Sequence, residues 1–239
     1  MASPHRSGSY WVTGTFVINR VINRVINSDI NSAQHYVVLG GTFDPVHQGH
    51  LITAQALAEI MGYEQVYLMP CGDAYHKVGT SSAQHRLAML RLALAEQPIL
   101  KLDARETQRQ GATYTVETLA ALRHELGDYA HIVWVVGTDA AVGLDQWHHW
   151  RQVFALANVL VVARAGAADA SLAHWPAQKL NDKTDFKARP CGAYLQLTLP
   201  QLELSSSQVR ASIKQHEVVD NHVPQPVIEY IERHGLYRG

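Results

Sequence analysis

Two histidines three positions apart follow a short apolar run in "YVVLGGTFDPVHQGH", residues 36–50. Side chains at i and i+3 share one face of a helix, so His47 and His50 can point at the same ligand. The start of a helix offers free backbone N–H groups and the positive end of the helix dipole, which together favour an anion. Gly49 carries no side chain that would block the approach of such a ligand. The pattern therefore predicts a phosphate site to which the imidazoles add N–H donors.

A strand and a helix must position these histidines. The apolar run predicts a strand, Gly40 and Gly41 predict a turn in the backbone, and Pro45 prevents the strand from continuing. A helical pattern begins near Gly49. The site is thus expected at the carboxyl end of the first strand.

The same alternation continues along the chain and predicts an α/β protein with a doubly wound parallel sheet, covered by helices on both faces. In such sheets, ligands bind at the carboxyl ends of the strands. Strands are predicted at residues 36–41, 65–70, 99–103, 131–137, 158–164 and 193–199, and helices at 49–61, 83–96, 115–126 and 146–156. The polar, Ala-rich stretch 165–190 predicts a surface helix and loop without a strand.

Residues 1–35 form an extension to a single domain that spans residues 36–239. The extension contains "VINRVINRVINSDINS", whose apolar pairs recur every four residues. That spacing could form a short amphipathic helix, but the recurring Asn disfavours it, so disorder is expected. Arginines without an acidic residue before Asp29 resemble a transit peptide, whereas the repeat itself resembles the expansion of a short coding unit.

Composition limits the classes of function. A formal net charge of -1 argues against a broad nucleic-acid interface. No apolar run approaches the roughly 18 residues of a membrane span. Cys71 and Cys191 lack CxxC spacing, which is typical of a reduced cytoplasmic protein rather than of a disulfide framework or zinc site. The sequence does not decide whether copies of the chain form a homo-oligomer.

A second group of polar residues lies in "LELSSSQVRASI", before a helical pattern. Ser205 and Gln208 have the spacing of a capping box. The spare hydroxyls of Ser206 and Ser207, with the guanidinium of Arg210, also suit a polyphosphate. Both interpretations can hold together, because one serine can cap the helix while another binds.

These two motifs carry a resemblance to a known family. "GGTFDPVHQGH" resembles the first signature of the HxGH nucleotidylyltransferase superfamily, and "SSSQVR" resembles its second ATP signature. With "GATYTVETL", "VVGTD", "QWHHW" and "PQPVIEYIERHGLYR", the order is similar to that of bacterial nicotinate-mononucleotide adenylyltransferases over residues 36–238. The resemblance implies a Rossmann-like fold.

The implied reaction is the transfer of the adenylyl group of ATP to nicotinate mononucleotide, with release of pyrophosphate and with Mg²⁺ carried on ATP. His47, His50 and Arg210 would be the catalytic residues. The implied ATP-binding residues are Gly40, Gly41, Thr42, Phe43, Gly49, Gly137, Asp139, Ser206 and Ser207, and the implied mononucleotide-binding residues are His76, Lys77, Thr113, Tyr114, Thr115 and Trp147.

Several of these positions have alternative interpretations. Asp139 could cap the following helix, and Thr113 could cap the helix that begins near Thr115. "DAYHK" lacks the prolines that relatives show before His-Lys, so Lys77 could be an ordinary surface lysine. Trp147 and Trp150 would lie on one helix, with one of them in the core.

Other functions also stay open. Pantetheine-phosphate adenylyltransferases, nicotinamide-mononucleotide adenylyltransferases and cytidylyltransferases share the first motif. A module that senses ATP without transferring it belongs to a different class.

Deletion of residues 1–34 is expected to leave turnover and Tm nearly unchanged, because the repeat has no pattern that could join a sheet. Thermal unfolding and steady-state kinetics of the full and truncated chains test this expectation. A large decrease in Tm would show instead that the apolar pairs pack on the domain.

Overall fold

The computed structural model describes residues 35–72, 80–164, 172–199 and 204–238. The N-terminal repeat lies outside these residues, as do His76 and Lys77. The predictions for both therefore stay predictions.

Within the described residues, seven strands form one sheet in the order β3-β2-β1-β4-β5-β7-β6, and every neighbouring pair is parallel. The strands are β1 (His35–Gly41), β2 (Val66–Pro70), β3 (Leu100–Leu102), β4 (His131–Gly137), β5 (Asn158–Arg164), β6 (Gln178–Leu180) and β7 (Ala193–Leu199). The order reverses at β1, which lies between β2 and β4. The loops that follow β1 and β4 therefore leave in opposite directions.

The helices between the strands are α1 (Gln48–Met61), α2 (Ala83–Leu94), α3 (Thr115–Leu126), α4 (Thr138–Val142), α5 (Trp150–Leu156) and α6 (Lys183–Lys187). Two further helices, α7 (Ser206–Lys214) and α8 (Gln225–His234), follow β7. Short 3₁₀ helices lie at Arg105–Gln108 and Leu144–Gln146. None of the helices in the described ranges is long and apolar enough to cross a membrane.

The sheet is covered on both faces, as predicted. In β1, Val37 packs in a core cluster with residues of α1, α2 and α8, whereas Val38 packs in a second cluster with residues of α3 and α5. Neighbouring strand residues point to opposite faces. A strand of a doubly covered sheet must therefore be apolar at consecutive positions, which explains the continuous apolar runs.

The predicted strands and three of the predicted helices are confirmed to within about two residues, the usual uncertainty of a boundary. The helix predicted over 146–156 is wrong in its first turn. Residues Leu144–Gln146 form a 3₁₀ helix, and His149 adopts a left-handed φ of 50° immediately before α5. Trp147 therefore lies outside the helix that contains Trp150, and both side chains are partly buried against the same core cluster.

The prediction that residues 165–190 contain no strand is also wrong. Gln178–Leu180 form β6, which pairs with β7 at the edge of the sheet. Three residues carry too few side chains to produce a recognisable alternation, so tertiary pairing decides this strand. The predicted surface helix is present as α6, and residues 165–171 lie outside the described residues.

Gly40 and Gly41 do not form the predicted turn, because both lie within β1. A Cβ at Gly40 would lie 2.9 Å from the Trp134 ring, and one at Gly41 would lie 3.0 Å from the Phe43 ring. The glycines are required for close packing of these rings. The left-handed residue of the following loop is Phe43, with a φ of 51°.

At the amino ends of β1, β4 and β5, the ring of His131 is buried. Its Nδ1 lies 2.6 Å from the Arg189 carbonyl oxygen, and its Nε2 lies 3.1 Å from the Tyr63 hydroxyl. A carbonyl only accepts, so Nδ1 carries the ring proton and Nε2 accepts from Tyr63. Burial lowers the pKa of His131 to about 4.

This lowered pKa makes stability depend on pH. In the unfolded chain, His131 binds a proton below about pH 6.5, whereas in the folded chain it binds one only near pH 4. The contribution of neutral His131 to the free energy of unfolding is therefore fully present above pH 6.5. It decreases by up to about 3 kcal/mol as the pH falls towards 4. Urea unfolding of the parent and of His131→Gln between pH 7 and pH 5 should show that their stability difference shrinks at the lower pH. Parallel pH profiles would contradict this assignment.

Candidate active site

A cavity of 290 Å³ opens where the strand order reverses, at the carboxyl ends of β1 and β4. The reversal separates the loops that follow the two strands, which is where ligands bind in sheets of this type. Of the residues predicted from the sequence, the cavity is lined by His47, Gly49, His50, Gly137 and Ser206. Leu39, Val135, Val136, Val162 and Leu204 form the apolar part of the lining, and none of them was predicted as a site residue. Thr53 and Ser205 also line the cavity.

α1 begins at the cavity with His47 as its N-cap residue. The N–H of Gln48 donates to the carbonyl of His222, at 2.8 Å. That amide is therefore not available to a ligand, contrary to the expectation of a fully free helix start. The loop before α8 occupies one of the positions at which an anion could bind.

The two imidazoles stack on each other, with ring centroids 3.7 Å apart and planes inclined by 26°. The backbone N–H of His47 donates to Nδ1 of His50, at 3.3 Å. Neutral His50 must then carry its proton on Nε2, which remains as a donor. Nδ1 of His47 is buried and has no hydrogen-bond partner among the described residues.

Both imidazoles are uncharged at neutral pH in this cavity. Burial lowers the pKa of His47 to about 4, with a further contribution from the charge of nearby His222. Burial also lowers the pKa of His50 well below its ordinary value, and His47 adds to that effect. The pair can therefore offer neutral N–H groups to an anion without first binding protons.

Gly49 and Phe43 support this pair from two sides. A Cβ at Gly49 would lie 3.0 Å from Nδ1 of His47, so the glycine makes room for the histidine ring as well as for a ligand. The Phe43 ring is buried and meets His50 edge-on, with centroids 4.9 Å apart. Phe43 thus packs against His50, which lines the cavity.

The second motif packs directly on the first. Ser205 caps α7 and forms the predicted capping box with Gln208. The hydroxyl of Ser206 donates to the Pro45 carbonyl at 2.9 Å, and Arg210 donates to the Asp44 carbonyl at 2.7 Å. These bonds place the start of α7 beside the loop that carries the histidines.

Arg210 also donates to the Ser207 hydroxyl, at 3.2 Å. This guanidinium thus ties α7 to the first motif. Its role towards phosphate stays a prediction, as does that of Ser207. Thr42 lies in the same loop, and its carbonyl accepts from the buried Arg86.

Asp44 joins three distant segments and was not proposed from the sequence. Its buried carboxylate accepts from the Tyr237 hydroxyl at 2.6 Å and from the Ser81 N–H at 3.2 Å. Burial and this carboxylate raise the pKa of Tyr237, so the phenol stays protonated and remains a donor. The residue stands inside the first motif, but nothing in the sequence indicated the partners that come from the C terminus.

Thr113 does not cap α3. The N-cap residue is Tyr114, which makes no side-chain capping bond. The Thr118 hydroxyl donates to the buried carboxylate of Glu106, at 2.7 Å. Thr113 lies near the same carboxylate, while Thr115 begins α3. No sequence motif indicated Glu106.

Tyr114 brings a second predicted segment to the start of α3. Its ring lies 4.3 Å from that of His148, the residue after Trp147. Asp139 is exposed in the first turn of α4 and does not cap it, because the N-cap residue is Gly137. Of the predicted residues that the structure describes, one group thus lies around the cavity and a second lies around the start of α3.

Comparison with known proteins agrees with this geometry. Residues 38–212 match the family described as "Cytidylyltransferase-like". The chain is 40% identical over 208 residues to a protein of Chromobacterium violaceum named probable nicotinate-nucleotide adenylyltransferase, covering 84% of this chain and 97% of that protein. The chain therefore belongs to the cytidylyltransferase-like family. A protein of Hahella chejuensis with the same name is 41% identical over 207 residues, covering 84% of this chain and 94% of the relative.

The fold is also shared with solved structures. Nicotinic acid mononucleotide adenylyltransferase of Plasmodium falciparum, complexed with NaAD, superposes with a TM-score of 0.65 and 17% sequence identity. The superposition covers 85% of this chain and 97% of that chain. At this identity the likeness concerns the fold.

His50→Ala is expected to lower turnover by about two to three orders of magnitude, the usual effect of removing one transition-state donor. The variant should keep its fold, because the ring is held by one backbone bond and by stacking. His124→Ala, an exposed position in the last turn of α3, is the matched control and should behave as the parent. Turnover of folded His50→Ala within a few fold of the control would contradict the donor role.

Proposed function

We propose that this protein transfers the adenylyl group of ATP to nicotinate mononucleotide, forming the deamido dinucleotide and pyrophosphate in NAD biosynthesis. The observation that carries the proposal is the stacked His47–His50 pair in the cavity between β1 and β4, in a chain of this family. The relatives' names and the NaAD complex of the Plasmodium falciparum structure support the choice of substrate.

The cavity suits the phosphates of ATP. An oxygen of the mononucleotide phosphate forms a bond to the α-phosphorus as the bond from that phosphorus to the pyrophosphate oxygen breaks, and the electron pair leaves with pyrophosphate. Such a step needs alignment and stabilisation of charge rather than a protein nucleophile. The Nε2–H of His50 would donate to the transferring phosphate, and Ser206 and Arg210 would hold the leaving group.

The start of α3 suits the carboxylate of the nicotinate ring. The first N–H groups of a helix have no partner within it, and the dipole favours a negative group there. The backbone N–H groups from Thr115 onwards would be the donors, because Tyr114 makes no side-chain capping bond to them. Trp147, His76 and Lys77 complete the mononucleotide site of this proposal.

Mg²⁺ would enter with ATP, because this ion keeps several waters and is commonly held by substrate phosphates. Among the described residues, no cluster of three or more His, Cys, Asp or Glu could hold a metal ion. A reaction on free ATP and mononucleotide requires neither nucleic acid nor membrane, and we place it in the cytoplasm. A homo-oligomer is compatible with it.

A panel of acceptors with saturating ATP, read by pyrophosphate release, tests the function. It should contain nicotinate mononucleotide, nicotinamide mononucleotide and pantetheine phosphate. Absence of transfer to every acceptor, with ATP still bound, would favour an ATP-sensing module.

Nicotinate mononucleotide should exceed nicotinamide mononucleotide in kcat/KM by at least about 100-fold. A carboxylate only accepts hydrogen bonds, whereas a carboxamide can turn its NH₂ towards the donors and leaves the dipole uncompensated. One or two charge-assisted bonds of about 1.5 to 3 kcal/mol distinguish the two acceptors. Comparable kcat/KM values would contradict a carboxylate site at α3.

A further inference from the structure

Arg86 lies in the first turns of α2 and its side chain is fully buried. Its guanidinium donates to four backbone carbonyls. The bonds are 2.9 Å to Thr42, 2.9 Å to Cys71, 2.6 Å to Gly72 and 3.1 Å to Ser81. Because the N–H groups of this buried cation donate to carbonyls of several loops, the cation fixes the positions of those loops relative to one another.

Two of these loops belong to different sides of the site. Thr42 begins the loop that leads from β1 to His47 and the start of α1, whereas Cys71 and Gly72 follow the end of β2. One nitrogen of the guanidinium donates to both Thr42 and Cys71. Arg86 therefore fixes the distance between the loop after β1 and the loop after β2.

The β2 loop in turn supports the mononucleotide side. A Cβ at Gly72 would lie 2.8 Å from Cγ2 of Thr113 and 2.7 Å from the carbonyl oxygen of Glu106. The backbone at Gly72 thus packs directly on the segment that leads into α3. Contacts run from Thr42 through Arg86 and Gly72 to Thr113, and so connect the ATP side with the mononucleotide side.

We propose that Arg86 is a positioning residue that holds the ATP loop and the mononucleotide segment at the separation that in-line transfer requires. This inference rests on the proposed function. Displacement of reacting groups by about 1 Å can reduce a rate by about 100-fold, even when each substrate still binds. Arg suits the role because its planar fork presents donors in several directions, whereas the ammonium of Lys is a compact point charge.

Arg86→Lys tests the proposal, and Arg123→Lys is its matched control. Arg123 also donates only to carbonyls, among them those of Leu156, Ala130 and Pro190. It lies near the amino ends of β4 and β5, at the opposite edge of the sheet. Both variants lose donors to backbone carbonyls, but Arg123 is less buried than Arg86. The Tm of each variant therefore separates a loss of stability from a loss of positioning.

For each protein, Tm, kcat at saturating substrates, and the Kd of ATP alone and of nicotinate mononucleotide alone are measured. Arg86→Lys should lower kcat by about 10- to 100-fold, while both Kd values change less than about threefold. The control should keep its kcat within about threefold of the parent. Pyrophosphorolysis of the deamido dinucleotide should slow by the same factor in Arg86→Lys, because both directions share one transition state.

Equal kcat values for the two variants would overturn the proposal, and so would a loss confined to the Kd of one substrate. If Arg86→Lys does not fold, Gly72→Ala replaces it, because the added methyl pushes the β2 loop away from Thr113 and leaves Arg86 intact. It should lower kcat by about 10-fold with unchanged ATP binding, and an unchanged kcat would overturn the proposal. If the parent protein itself showed no activity on any acceptor, the proposed function would be refuted instead. The two failures can therefore be told apart.

Discussion

The reversal of strand order at β1 is the constraint on which the rest of the site depends. All paired strands are parallel, so their carboxyl ends lie at one edge of the sheet. Because β2 and β4 flank β1, the chain leaves β1 and β4 in opposite directions and a cavity opens between the loops. Part of its wall consists of strand residues such as Leu39 and Val135, whose positions are fixed by the sheet rather than by the loops.

Segments far apart in the chain hold the loop that leads from β1 to the histidines beside this cavity. The backbone of Asp44 and Pro45 accepts from the start of α7, and the Asp44 carboxylate accepts from Tyr237 near the C terminus. Arg86 reaches the same loop from α2. The loop that carries the histidines is thus held by contacts from outside it, which suits a reaction that depends on alignment.

Burial determines how the imidazoles act. In water, a histidine is partly charged near neutrality, but desolvation keeps His47 and His50 neutral in the cavity. Stacking of the rings and the bond from the His47 N–H to Nδ1 of His50 fix the tautomer and direction of His50. His131 shows the same effect of burial at the opposite edge of the sheet, where its ring bonds to the Arg189 carbonyl and the Tyr63 hydroxyl.

The sequence by itself determined the α/β class, the longer strands and helices, and the positions of the two motifs that contain His47–His50 and Ser205–Arg210. Apolar runs and capping patterns such as Ser205–Gln208 act over a few residues, so they can be recognised without the fold. Only the tertiary structure decided where β6 forms, where α5 begins and why residue 40 is a glycine. The strand β6 pairs with β7, and Gly40 packs against Trp134, which is distant in sequence. The partners of Arg86 are backbone groups of other segments, and those of Asp44 come from Ser81, Arg210 and Tyr237, so neither set leaves a local residue pattern. Contacts of that kind exist only once the sheet has brought its loops to one edge.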